Sequence, residues 1–121
     1  MSGFIKQCDF NSAANSTPLF FYTRIKVKDG QQAAHTKAWQ ELGDFVEKHY
    51  TGVYAMIKCV DKDDPNYART FVACSSNDTY LDWSEDSMAV DGSEIKNLSL
   101  AMMQYYEDME GSTQEVWTDD V

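Results

Sequence analysis

Apolar and polar residues alternate along positions 19–28, with Leu19, Phe21, Thr23, Ile25 and Val27 on one side and Phe20, Tyr22, Arg24, Lys26 and Lys28 on the other. A period of two predicts a β-strand, and this one carries bulky aromatics on both faces at its start. Beyond Asp29 and Gly30 the period changes. Ala34, Ala38, Leu42, Phe45, Val46 and His49 recur at steps of three and four, which lines one side of an amphipathic helix of about five turns. Asp29 and Gln32 match a capping box that would open this helix, and Gly52 is placed to stop it. On this pattern Phe45 faces the core, and Phe45→Ala would cost about 3 to 5 kcal/mol.

Two further alternating runs, Val53–Val60 and Tyr67–Cys74, flank a short polar stretch at 61–66 that contains Pro65 and reads as a hairpin loop. One consistent assignment puts Val53, Ala55, Ile57 and Cys59 on a face with Ala68, Thr70, Val72 and Cys74. Tyr54, Met56, Lys58, Tyr67, Arg69 and Phe71 then lie on the opposite face. Helical spacing returns after Asn77 or Asp78 through Tyr80, Leu81 and Trp83, and breaks near Asp91 and Gly92. Ser93 caps its resumption through Ile95, Leu98, Met102, Tyr105 and Met109, as far as Gly111. Positions 113–119 alternate once more as a closing strand, and Pro18 stands where the first strand opens, with no ladder hydrogen bond to lose. The predicted element order is βαββαβ, in an α+β chain.

A sheet that is apolar on both faces needs two covers, and this chain has helix enough for one. Phe20, Tyr22, Tyr54, Met56, Tyr67 and Phe71 would leave a continuous apolar patch on a monomer. Arg24, Lys58 and Arg69 share that face, with charges suited to acidic residues of a two-fold-related copy. A homodimer that buries these residues is the expectation.

The chain has 121 residues, enough for one domain, with an arm over 1–17 and a single domain over 18–121. Phe4, Ile5, Cys8 and Phe10 leave room in the arm for a short edge strand. Twenty acidic residues against ten basic ones give a formal charge of −10, which repels nucleic acid and anionic membrane surfaces. Acidity of this kind most often serves solubility alone. Cys8, Cys59 and Cys74 form no C-x-x-C pair, and the odd count suits a reducing compartment. Cys59 and Cys74 fall at opposite ends of the predicted hairpin, roughly 20 Å apart at about 3.3 Å per residue, too far to bridge. Positions 1–17 hold no apolar run long enough for a signal peptide, and no stretch approaches a membrane span, so a cytoplasmic location is expected.

Split βαβ order in about 100 residues is the ferredoxin-like pattern, an antiparallel sheet with helices on one face. The run from Phe21 to Gly30, the amphipathic helix after it, the central hairpin and the closing strand resemble the dimeric α+β barrel superfamily, within it the antibiotic-biosynthesis-monooxygenase-like group. The resemblance covers about 19–118. It implies two sheets packed face to face in a dimer, and a cavity between the helices and the sheet of each subunit. It also implies cofactor-free oxidation of polycyclic phenols or quinols, haem degradation or isomerisation as the activity. Relatives that degrade haem hold iron with a histidine of the second helical region, and 79–110 contains none. Relatives that oxidise without haem often carry an aromatic at the end of the third strand, where this chain has Cys74, Ser75 and Ser76. Neither chemistry carries over residue by residue.

His35 and His49 are the only histidines, about 21 Å apart along one helix at 1.5 Å per residue, so they cannot share a metal ion. His35 stands one turn before Trp39, where an imidazole acid/base would adjoin a stacking surface, and the plainer reading is a half-exposed histidine packed on its neighbour. His49 complements the helix dipole. Arg24 and Arg69, the only arginines, would bind a substrate carboxylate or pair across a dimer. Trp83, Met88, Met102, Met103 and Tyr105 read as core or as the lining of a cavity for a flat apolar molecule. Cys74 has no neighbouring base and faces the core. No phosphate loop, nucleophile elbow or zinc spacing occurs, and neither metal nor cofactor is expected. Two functions fit. One is an enzyme that oxidises or isomerises a small aromatic or quinone-like molecule, with His35, Trp39, Trp83 and Tyr105 around it. The other is a non-enzymatic dimer that binds a small molecule or serves as a scaffold.

Overall fold

A computed structural model describes residues 2–5 and 19–115 of the chain. Their elements run β1 (Ser2–Ile5), β2 (Leu19–Val27), α1 (Gln32–His49), β3 (Val53–Val60), β4 (Tyr67–Cys74), α2 (Asn77–Ala89), α3 (Glu94–Met103) and β5 (Tyr106–Glu115). The strands form one antiparallel sheet in the order β1-β3-β4-β2-β5, with the three helices on one face. From β2 to β5 this is the expected ferredoxin-like βαββαβ core, and β1 adds an edge strand against β3. Gly3 makes that addition possible. Its φ is +101°, and a side chain there would overlap the carbonyl of Met56. Pro18 and residues 116–121 lie outside the described residues.

Two β-bulges change what faces the helices. Val53 pairs with Cys74 but Ala55 pairs with Ala73, so Tyr54 is an extra residue and the alternation of β3 inverts after it. Met56 and Lys58, expected on the outward face, are therefore buried beneath the helices at 0% and 1% exposure. Ala55, Ile57 and Cys59 take the outward places. The second bulge lies in β5, where Val27 pairs with Tyr106 and Lys26 with Asp108. Tyr106 and Met109 consequently both point toward the helices.

The last helix is shorter than its spacing suggests. It stops at Met103, and β5 begins at Tyr106 rather than near 113. Tyr105 and Met109 are four apart, a spacing that one helix face and one strand face share, so the period does not separate the two. The free edge of β2 does: its backbone groups need partners, and a ten-residue β5 supplies them. Ser93 caps α3 as expected, its hydroxyl accepting from the Lys96 N–H. The Asp29 capping box does not form. Gln31 occupies the N-cap without a side-chain bond, and Gln32 donates to the Pro65 carbonyl at 2.7 Å instead.

The core joins Ile25, Leu42, Val46, Val53, Met56, Val72 and Cys74, all at 2% exposure or less. Along α1 the buried face is His35, Ala38, Trp39, Leu42, Gly43 and Val46, rotated slightly from the expected one. His49 is exposed, and Phe45 is half-buried with its ring 4.2 Å from that of His49. Phe45→Ala is therefore expected to cost about 1 to 2 kcal/mol, below the sequence-based figure, while Leu42→Ala costs about 3 to 4. Urea denaturation of the two variants checks the order, and a larger loss from Phe45→Ala contradicts it.

Candidate ligand cavity

A cavity of about 230 Å³ lies between the helices and the sheet. Its sheet wall is Phe21 and Thr23 of β2, Thr70 and Val72 of β4, and Tyr106 and Met109 of β5. Trp39 and Leu42 of α1, Tyr80, Trp83, Ser84, Ser87 and Met88 of α2, and Ser99, Met102 and Met103 of α3 close it from above. No lining residue carries a charge. Met88, Met103 and Met109 are 47%, 38% and 47% exposed, which places a thioether rim where the cavity meets solvent.

Polar groups inside are few and lie close together. The hydroxyls of Thr23 and Thr70, neighbours across β2 and β4, hydrogen-bond to each other on the floor. Ser87 donates to the Ser84 carbonyl at 2.7 Å. The indole nitrogens of Trp39 and Trp83 and the hydroxyl of Ser99 are buried without a hydrogen-bond partner. The Trp39 nitrogen stands beside Gly3 of β1 and the Trp83 nitrogen toward Cys74, both outside the lining, so neither indole N–H is offered to a ligand in the cavity. The Trp83 N–H lies toward the Cys74 sulfur without reaching hydrogen-bonding geometry. Burial pushes the Cys74 thiol up to about 11, so it is no nucleophile near neutral pH.

Behind the floor runs a second polar group. Lys58 is buried, its Nζ donating to Thr36 Oγ1 at 2.6 Å and to the Gln32 carbonyl at 3.3 Å. Burial lowers its ammonium to about 8. His35 is fully buried rather than half-exposed, and neither ring nitrogen has a partner. Burial, and secondarily the Lys58 charge, lower its imidazole to about 4. Its ring stands 5.4 Å from that of Tyr106, whose phenol burial also raises well above the ordinary value.

Of the residues expected around a ligand, Trp39 and Trp83 share the cavity wall. Tyr105 does not: it faces a groove between α1 and α3 beside Ala38 and Ala101, and its neighbour Tyr106 lines the cavity instead. His35 sits outside the lining, behind Tyr106. Nothing in the residue spacing marks Thr23, Thr70 and Lys58 as site residues, because only the pairing of β3, β4 and β2 sets them side by side.

On the far face of the sheet, Phe71 stacks against Phe20 and Tyr22 at 5.5 and 5.4 Å. Arg69 donates to the Tyr22 hydroxyl at 3.1 Å, and the Arg24 guanidinium lies 4.3 Å over the Tyr67 ring. The two arginines thus shield aromatic surface within the subunit, and Glu110 is the register neighbour of Arg24.

No family model matches the sequence, and no curated protein does. Solved structures do match. A candidate antibiotic biosynthesis monooxygenase from Caulobacter crescentus superposes with a TM-score of 0.70 at 14% identity, over 84% of this chain and 92% of that one. One from Nitrosomonas europaea gives 0.70 at 9% identity, over 88% and 96%. A Bacteroides thetaiotaomicron protein of unknown function, described as a possible oxidoreductase, gives 0.67 at 11% identity, over 84% and 99%. The chain has their fold. It is a ferredoxin-like α+β fold, as the strand and helix order predicts. Identities this low speak for backbone architecture and leave the chemistry to the cavity itself. Among the described residues, no group of histidine, cysteine and carboxylate side chains is arranged to hold a metal ion. No described helix is long and apolar enough to cross a membrane.

Proposed function

We propose that the protein is a homodimer that binds a small aromatic or quinone-like molecule in this cavity and acts on it as a monooxygenase or isomerase with no tightly held cofactor. The uncharged lining of stacked aromatics and thioethers, with a few hydroxyls on its floor, is the observation that carries this reading. A cavity of about 150 Å³ takes up benzene, so on the same scale 230 Å³ holds two fused rings, with a third reaching only into the open methionine rim. The fold of the matching structures is consistent with an oxygenase. In such a reaction the substrate supplies the electrons: an activated CH₂ becomes a carbonyl, one oxygen atom of O₂ enters, and the other leaves as water.

Fluorescence quenching of Trp39 and Trp83 by anthrone measures binding, and an oxygen electrode measures turnover. Trp83→Ala is expected to weaken binding at least tenfold, as it removes a stacking wall worth more than 1.4 kcal/mol. Quenching absent in the wild type would overturn the reading. One observation favours the second function, a non-enzymatic binding dimer: the lining holds no histidine, carboxylate, amine or thiol, and His35 is shut behind Tyr106. Tight binding with oxygen uptake at the rate of buffer alone would select it.

A further inference from the structure

Lys58 is out of place on any stability argument. A buried ammonium pays a desolvation cost that a carboxylate partner usually offsets, and among the described residues Lys58 has none. Among the described residues Lys26 pairs with Glu107 and Lys96 with Asp91, and the Lys58 ammonium meets only a hydroxyl and a carbonyl. Facing Lys58 are Gln32, His35 and Thr36 of α1 and its register neighbour Thr70 on β4, all uncharged once His35 is neutral. Ser2 is its register neighbour on β1. A methionine or leucine would fill the same space without the cost.

The position of this charge relative to the cavity gives it a use. Thr70 lies directly across the ladder from Lys58, and Thr23 directly across the next ladder from Thr70, all three on the helix-facing side. Neighbouring side chains in such a row stand about 5 Å apart. The row therefore runs from a buried positive charge, through two hydroxyls bonded to each other, to the cavity floor. A second approach leads through His35, close enough to Lys58 to feel its charge and in ring contact with Tyr106 on the cavity wall.

We propose that Lys58 is a positioning residue that makes the cavity hold an aromatic alcohol as its anion, with the oxygen on the Thr23 and Thr70 hydroxyls and the ammonium behind them balancing the charge. The phenol O–H bond breaks and its proton passes to bulk water at the methionine rim. This rests on the reading of the cavity as an aromatic site and narrows the ligand class to phenols, naphthols and the enol forms of fused-ring ketones. The anion is the electron-rich form that reacts with O₂, so the arrangement would favour oxidation without a cofactor.

The test uses the intact protein, 2-naphthol, whose absorption moves to longer wavelength on ionisation, and 2-methoxynaphthalene, which cannot ionise. A free phenol titrates near 10, and an apolar cavity with no charge behind it raises that value. Bound to the wild type, 2-naphthol is expected to ionise below about pH 8, while the Lys58 ammonium still carries its charge. In Lys58→Met it should titrate at or above the free value, while 2-methoxynaphthalene binds both proteins within about threefold. If Lys58→Met does not fold, Lys58→Gln takes its place. Bound naphthol titrating above about pH 8 in the wild type overturns the proposal on its own, as does a lowered value that survives both substitutions. In either case methoxynaphthalene binding still supports the aromatic site. If neither naphthalene binds, the cavity reading and this inference fall together.

Discussion

Tyr22→Asp combined with Phe71→Asp is expected to turn a homodimer of about 28 kDa, twice the 13.8 kDa chain, into monomer or aggregate. Tyr22 and Phe71 are direct neighbours across β2 and β4, with rings 5.4 Å apart at the centre of the outward sheet face. Two carboxylates there would be desolvated in a face-to-face dimer, and Arg69, released from the Tyr22 hydroxyl, can pair with one of them but not both, which leaves a cost of several kcal/mol. Arg24 stays engaged over the Tyr67 ring within the subunit. Light scattering at micromolar concentration reads the mass, and circular dichroism shows whether the variant keeps its fold. A wild type that scatters as 13.8 kDa, or a doubly substituted protein that remains dimeric, overturns the assembly.

Acid should destabilise the protein through His35, by up to about 3 kcal/mol. The folded imidazole is lowered from 6.5 to about 4, chiefly by burial and secondarily by Lys58, so the unfolded chain binds the proton more readily. Stability from the neutral form is then complete above about pH 6.5 and is lost as pH falls toward about 4, at about 1.4 kcal/mol per pH unit. Many carboxylates titrate toward the same acid range, so the measurement is a difference. Urea unfolding of wild type and His35→Phe is compared at several values between pH 7 and 4, and the wild type should lose about 3 kcal/mol more than the variant. Parallel curves would mean that His35 is not buried in neutral form.

The same histidine shows where local pattern ends. Its place on α1 follows from the three- and four-residue spacing, but the spacing predicts a core face through Ala34 and Phe45, a few tens of degrees from the observed one through His35, Trp39 and Gly43. The sheet beneath sets that rotation, since a helix turns to bury what fits the surface it meets. Tyr105 and Tyr106 make the point at the cavity. Both are aromatic and adjacent, and a short α3 followed by a bulged β5 points Tyr106 inward.

Local pattern in the chain is enough for the element order, the two-sided aromatic start of β2, the hairpin of β3 and β4, the Ser93 cap and the supply of aromatic and methionine side chains in the second helical region. All of these rest on residues within about a turn or a strand of each other, where periodicity and turn chemistry act. Tertiary structure alone decided the phase of β3 beyond Tyr54, the start of β5, and the row from Lys58 through Thr70 to Thr23. A bulge forms where pairing with a distant strand costs less than keeping register, and nothing in Val53, Tyr54 and Ala55 announces it. One extra residue moved Met56 and Lys58 from the outward face to the interior, because side chains alternate with a period of two and a single insertion exchanges the faces.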